Sequence, residues 1–427
     1  MKVIKPIAKS LIVFALSAVT LNAQEGQVGT QAKIPIRMLT NTVSSDTTVL
    51  LGISGVRQLP NGGVVVNDAT RRQLIVFDST LTKYKIIADT SSNSPNTYGL
   101  RGSTGGLIPY IGDSSLFVDY DSQAFLVIDP QGEIVRVMAP TRASDLNYIA
   151  YGTSVTAGFD PKGRLVYRTA RYLPQGIYTP TPPELYGKPV VKYLPDSAPL
   201  LRMDFDKRTV DTIGLIKIPV QKLVNVSTRN GSVGYYAVNP LPQSDEWTLL
   251  PDGTIAIVRG QDYHIDWLDL DGKLTSSPKM PFDWKRLLIE EKTAIIDSVK
   301  NIEADRVAKL PPSAAPTTNM PFEVPKMIFT TVEPKDLPDF YPAVRTGQVR
   351  ADLEGKVWIL PSTSMSAKDG LLYDVVNRQG EIVERVQLPK GRTLVGFGPH
   401  GLIYMHNVKG PRSAALERAQ VVRPPVP

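Results

Sequence analysis

Acidic, amide, arginine and tyrosine side chains recur in this chain at one kind of place, the end of a short apolar run. Asn67 and Asp68 close VVV and are followed by Arg71 and Arg72. Asp119 and Tyr120 close LFV, Arg168 and Arg171 follow LVY, and Arg259, Asp262 and Tyr263 follow IAIV. An arginine fork can grip a carboxylate or phosphate through two parallel hydrogen bonds, and a tyrosine ring can cover an apolar or sugar face. The set therefore suits a small acidic ligand, a peptide or a glycan fragment. The competing structural expectation is that acid and arginine in equivalent turns pair with each other and tie neighbouring elements together. Histidine-based zinc chemistry has little to work with. The chain holds three histidines and no cysteine, and His264, His400 and His406 do not share a ligand spacing. Phosphate-loop, HExxH and EF-hand spacings are absent, and GTSV at Gly152 lacks the second glycine of a nucleophile elbow.

The elements that would position these residues are strands. In Gly55–Asp78, the runs VRQL, VVVND and QLIVFD are separated by PNGG and ATRR. Asn-Gly and Gly-Gly supply the positive φ of tight turns, and β-branched runs this short are strands rather than helices. The same plan recurs from Leu107, Val155, Glu246, Gly347 and Thr393, with its first turn at Gly63, Ser114, Gly163, Gly253, Gly355 and Gly401. Three of the intervals are 51, 49 and 46 residues, and the two longer ones contain insertions, 174–199 and 281–340. A repeated four-strand unit of that length predicts an all-β, six-bladed β-propeller over 34–427. Unit six shows three strands, so the orphan run Ile34–Leu39 is expected to complete it and close the ring. The insertion between blades 4 and 5 predicts the one long helix, Asp283–Leu310, with Leu288, Ile295, Val299 and Ile302 along its apolar stripe. That helix is expected on the outer or lower face of the ring, or as a lid over one end.

The first 23 residues read as targeting rather than fold. Lys2, Lys5 and Lys9 precede the apolar run Ser10–Leu21, and Ala23 is a small residue before a cut. Residues 24–33 then form a flexible tether. Loss of the three lysines lowers the formal charge from +7 to +4, too mild and too scattered for nucleic acid. A secreted or periplasmic protein with no membrane span after cleavage is expected. Without cysteine it can have no disulfide, so packing must hold it together.

NDATRRQLIVFD, from Asn67, resembles the second-to-third strand signature of NHL-repeat propellers, and DYDSQAFLVID, from Asp119, repeats it without the arginine. The loop RGSTGG, 101–106, is similar to the Gly-rich loop of bacterial exported, TolB-like six-bladed propellers. The resemblance implies the fold and leaves activity open. Related lactonase-type propellers imply calcium or zinc in the central channel, held by Glu, Asn and Asp from separate blades; Asn67, Asp68, Asp119 and Asp262 would be the counterparts here, although the residues around them do not match. The expected function is a non-catalytic, exported binding or scaffold protein without a cofactor, whose partner is a small ligand, a peptide or an envelope protein. The alternative is a lactonase-like hydrolase using Ca2+.

Overall fold

The computed structural model describes residues 34–91, 96–99, 105–151, 157–169, 182–228, 231–308, 326–366, 369–410 and 412–423. Alternating burial in short β-branched runs, punctuated by turns, produces six sheets whose strands follow one another in the chain. Sheet 1 is Ile53–Gln58, Val64–Asp68, Gln73–Phe77 and Tyr84–Ala88. Sheet 2 is Gly106–Pro109, Ser115–Asp119, Ala124–Ile128 and Ile134–Met138. Sheet 3 is Gly158–Phe159, Leu165–Arg168, Ser197–Asp204 and Thr209–Lys217. Sheet 4 is Glu246–Leu249, Ile255–Arg259, His264–Leu268 and Leu274–Ser276. Sheet 5 is Val344–Ala351, Val357–Pro361, Leu372–Val376 and Ile382–Gln387. Sheet 6 begins with Arg392–Phe397, Leu402–Gly410 and Ser413–Gln420.

Both faces of each sheet are buried, because successive residues of a strand point to opposite sides. Val65 packs towards sheet 2 with Phe117 and Leu126, while Val64 and Val66 pack towards sheet 6 with Tyr404 and Leu416. Four further apolar clusters join sheets 2 and 3, 3 and 4, 4 and 5, and 5 and 6. Packing is thus cyclic, the last sheet against the first, which is the arrangement of a β-propeller. First strands touch between sheets 1 and 2, 2 and 3, 4 and 5, and 6 and 1, so the first strands line the inner wall.

At one end of the sheets, a five-residue turn is used repeatedly. Asp129, Asp160, Asp269, Asp352 and Asn377 each open one, and the Oδ1 atom accepts the N–H groups two and four residues on. For Asp352 these are Glu354 at 3.0 Å and Lys356 at 2.9 Å, for Asp129 Gln131 at 3.0 Å and Glu133 at 2.8 Å. The fourth residue is glycine, at φ +77° in Gly355 and +87° in Gly132, a backbone region that other residues rarely adopt.

The N-terminal segment completes the ring, with a displaced register. Sheet 6 gains its fourth strand from Val43–Ser44, antiparallel to Glu417 and Arg418. Ile36–Arg37, which was expected to do this, instead pairs in parallel with Arg385 and Val386 as a fifth strand of sheet 5. Leu39 bridges Val421 between the two. Pro35 explains part of the choice. It has no N–H to give, but its carbonyl accepts the Arg385 N–H at 2.8 Å.

A seventh sheet was not expected. Pro189–Leu194 pairs with Gln221–Thr228, that strand pairs with Gly231–Val238, and the last pairs in parallel with Lys326–Thr331. Three separate insertions thus build one accessory sheet. The helix spans Ile289–Ala308, between sheets 4 and 5 in the chain, and packs on its own insertion, at 326–331 and 334–336. Its buried positions are Lys292 and Ile296, whereas Leu288 and Ile302 are 56% and 66% exposed. The expected stripe fails there because the contact is polar. Lys292 Nζ donates to the Leu337 carbonyl and to Asp339, each at 2.9 Å.

Candidate functional site

Most of the side chains singled out by the sequence are ties within and between sheets. Asn67 is 1% exposed. Its Nδ2 donates to the Gly105 carbonyl at 2.6 Å, and its Oδ1 accepts the Tyr98 hydroxyl at 3.0 Å. Burial pushes the Tyr98 hydroxyl up to about 12, so it stays protonated and keeps that bond. Asp68, with no exposed surface, accepts four backbone N–H groups, from Leu51 at 2.7 Å, Gly52 at 3.1 Å, Thr70 at 3.1 Å and Arg71 at 2.9 Å. Arg71 reaches the Thr48 carbonyl at 2.8 Å, and Arg72 donates to the Gly99 carbonyl and lies 5.5 Å from the Tyr98 ring centre.

The other sheets repeat the pattern with different partners. Asp119 accepts the Asp121 N–H at 3.2 Å and the Ser122 hydroxyl. Tyr120 packs against the cluster between sheets 2 and 3. Arg259 spans Asp245 and Asp266, at 2.5 and 2.6 Å. Asp262 pairs on the surface with Lys279 at 3.0 Å. Tyr263 is fully buried and donates to Asp374 of sheet 5 at 2.8 Å; burial and the Asp374 charge hold it well above the usual tyrosine range. Arg168 lies at the end of sheet 3's second strand, close enough to Glu246 to pull on its charge. Arg171 lies outside the described residues.

The oxygen set expected for calcium is not gathered. Among the described residues, no three His, Cys, Asp or Glu side chains come together as a metal site. Asp68 accepts four backbone N–H groups, Asp119 bonds within its own turn, and Asp262 pairs with Lys279.

The inner strands hold what sequence reading missed. Counted from the first hairpin turn of each sheet, the second paired position is Arg57, Ile108, Gly158, Thr248, Arg350 and Gly396 for sheets 1 to 6. Two arginines therefore share one level of the inner wall. Both are partly buried, and among the described residues neither donates a hydrogen bond or joins an ion pair. Burial pulls both guanidinium groups below their usual range. Asp113 acts in the opposite sense on Arg57, as Tyr373 does on Arg350. Glycine at 396 lets the sheet 6 strand lie close to sheet 1, since a Cβ there would stand 2.3 Å from Val56 Cγ2. The missed signal was positional. Each arginine sits two residues before the turn residue, Leu59 or Asp352, in the first strand of its unit.

One strand level away is a carboxyl of unusual setting. Glu246 is 6% exposed and accepts the Gly347 N–H at 2.9 Å. Burial lifts it to about 7; the Gly347 bond and Arg168 oppose the rise, and the Asp245 charge adds to it.

No family model matches the chain, and no curated protein does. Among solved structures, regucalcin of Agrobacterium tumefaciens, a calcium-binding protein, is similar at 13% identity over 92% of this chain and 98% of its own, with a TM-score of 0.42. A gluconolactonase of Xanthomonas campestris is similar at 10% identity over 88% of each chain, with a TM-score of 0.39. Virginiamycin B lyase of Staphylococcus aureus is similar at 10% identity over 90% and 99%, with a TM-score of 0.38. At such identities and scores none of these activities transfers to this chain. No helix of the described residues is long and apolar enough to cross a membrane.

Proposed function

We propose that the chain is an exported six-bladed β-propeller that binds a small acidic ligand, free or as the acid group of a peptide or glycan, at its inner wall. Residues 1–23 act as its signal, and the mature protein works outside the cytoplasm, as a secreted or envelope protein. The six ring sheets are its blades and the segment 34–50 its clasp.

One observation carries the reading. Arg57 and Arg350 stand at the same strand level of the inner wall, desolvated and, among the described residues, with no hydrogen bond or close ion pair of their own, Arg57 feeling only the more distant charge of Asp113. A charge held out of water without a partner costs free energy, and an anion that bonds both forks relieves that cost. The metal-dependent hydrolase reading has no comparable observation behind it, since among the described residues no three acidic or histidine side chains come together as a metal site.

Calorimetric titration with sulfate, glutarate and citrate at constant ionic strength tests the proposal, with glycerol as the neutral control. A charge-assisted hydrogen bond contributes about 1.5–3 kcal/mol, so R57Q and R350Q should each weaken anion binding by roughly tenfold to a hundredfold. Neither variant should lower thermal stability, because each removes an unpaired charge. Wild-type protein that binds no anion, or R57Q and R350Q that bind as wild type does, would refute the reading.

A further inference from the structure

Glu246 opens the inner strand of sheet 4, two residues before Thr248. Two residues of strand span about 7 Å, so its backbone lies about one such step along the inner wall from the level of Arg57 and Arg350. Its Oε2 accepts the N–H of Gly347, on the inner strand of sheet 5 that carries Arg350 three residues later. Among the described residues the carboxyl accepts no other hydrogen bond, so Oε1 keeps its acceptor capacity in a group nine-tenths buried. Arg168, from sheet 3, acts on it with opposite charge, and Asp245, its neighbour in the chain, with like charge. The Asp245 carboxylate accepts from Arg259 and from the backbone N–H of Lys217, at 2.5 and 2.9 Å. Sheet 5's inner strand adds Arg345, which is exposed, and Arg350 itself.

Resting on the acidic-ligand reading above, we propose that the ligand enters the inner wall together with one proton, taken up by Glu246. The proton comes from solvent and adds to the free Oε1, giving a neutral carboxylic acid, while the ligand stays ionised. An anion held by Arg350, on the strand that Glu246 itself bonds, brings like charge towards a carboxyl nine-tenths buried and so favours its neutral form, while Arg350 is engaged with that ligand. The setting also supports it, since burial has already lifted Glu246 to about 7 in the empty protein.

The test is calorimetric titration with sulfate and with glutarate, both fully ionised above pH 6.5, in MOPS and in imidazole between pH 6.5 and 8.5. The dependence of the observed heat on buffer ionisation heat counts protons. Wild-type protein should take up about half a proton at pH 7 and close to one at pH 8, and affinity should fall by up to tenfold per pH unit over that range. E246Q should bind both anions with no proton uptake and a flat pH profile. Anion binding by the wild type without proton uptake overturns this inference and leaves the arginine reading standing, as does uptake that persists in E246Q. Failure of both anions to bind the wild type overturns both. Should E246Q not fold, the wild-type proton count alone decides.

Discussion

Replacing Asp68 separates a structural tie from a ligand more cleanly than any other substitution in this chain. Its carboxylate accepts N–H groups from Leu51, Gly52, Thr70 and Arg71, so Asp68→Ala orphans four donors. Thr70 and Arg71 are exposed and can turn to water, while Leu51 and Gly52 are partly buried and cannot do so freely. Two unsatisfied N–H groups at about 1–3 kcal/mol each place the loss at about 4 kcal/mol. Asp68→Asn keeps one oxygen and turns an amide N–H2 towards a donor, so about half that loss is expected. For a unit close to 400 residues long, 4 kcal/mol corresponds to roughly 5 °C in transition temperature. Scanning calorimetry reads the shift, and titration with glutarate and calcium on the folded Asp68→Asn protein reads binding. Stability should fall in the order wild type, Asn, Ala, with binding unchanged within about twofold. A stable Asp68→Ala protein, or an Asp68→Asn protein that loses ligand or calcium at unchanged stability, would refute the reasoning and return Asp68 to the binding site.

Three further outcomes follow from other contacts. Tyr263→Phe removes the hydroxyl that donates to Asp374 between sheets 4 and 5, and should cost about 1–3 kcal/mol by calorimetry; an unchanged transition would mean that the bond contributes nothing. Glu246 has a folded-state value raised above its ordinary 4.5, so the folded protein binds the extra proton. Wild-type stability should therefore decline as pH rises from about 4.5 through 7 and level off above, by about 3 kcal/mol. E246Q lacks that decline, so unfolding scans should find it more stable than wild type at pH 8 and similar at pH 5. Deleting residues up to Ser45 bares the outer strands of sheets 5 and 6, and light scattering should detect association through those edges, where the full chain stays dispersed.

What the sequence showed and what it hid divide along a physical line. The strand plan was legible because β-branched runs and Asx-Gly turns are local chemistry. Asp352 and its glycine fix their hairpin within five residues. The special standing of Asn67 and Asp68 was legible too, but not their role. Their partners are backbone groups of Gly105, Leu51 and Gly52, which leave no mark on residue type. The accessory sheet was hidden for another reason. Gly231–Val238 and Lys326–Thr331 pair across almost a hundred residues, and no periodicity within either strand announces its partner. Arg57 and Arg350 were visible as residues but not as a pair. Their common level emerges only when each unit is aligned on its first turn, and turns drew attention to the opposite ends of the strands.

The two ends of the folded chain meet. Val422 donates its N–H to the Met38 carbonyl at 3.0 Å, and Thr40 donates to Gln420 at 2.9 Å. The described segments 34–40 and 420–423 therefore lie at one seam, beside sheets 5 and 6. A surface linkage made at either segment orients the ring in the same way. The seam also makes the order of the sheets along the chain a convention of where synthesis starts. A linker of a few residues across it, with new ends opened at a tight turn such as 129–133, should give a permuted chain with the same ring.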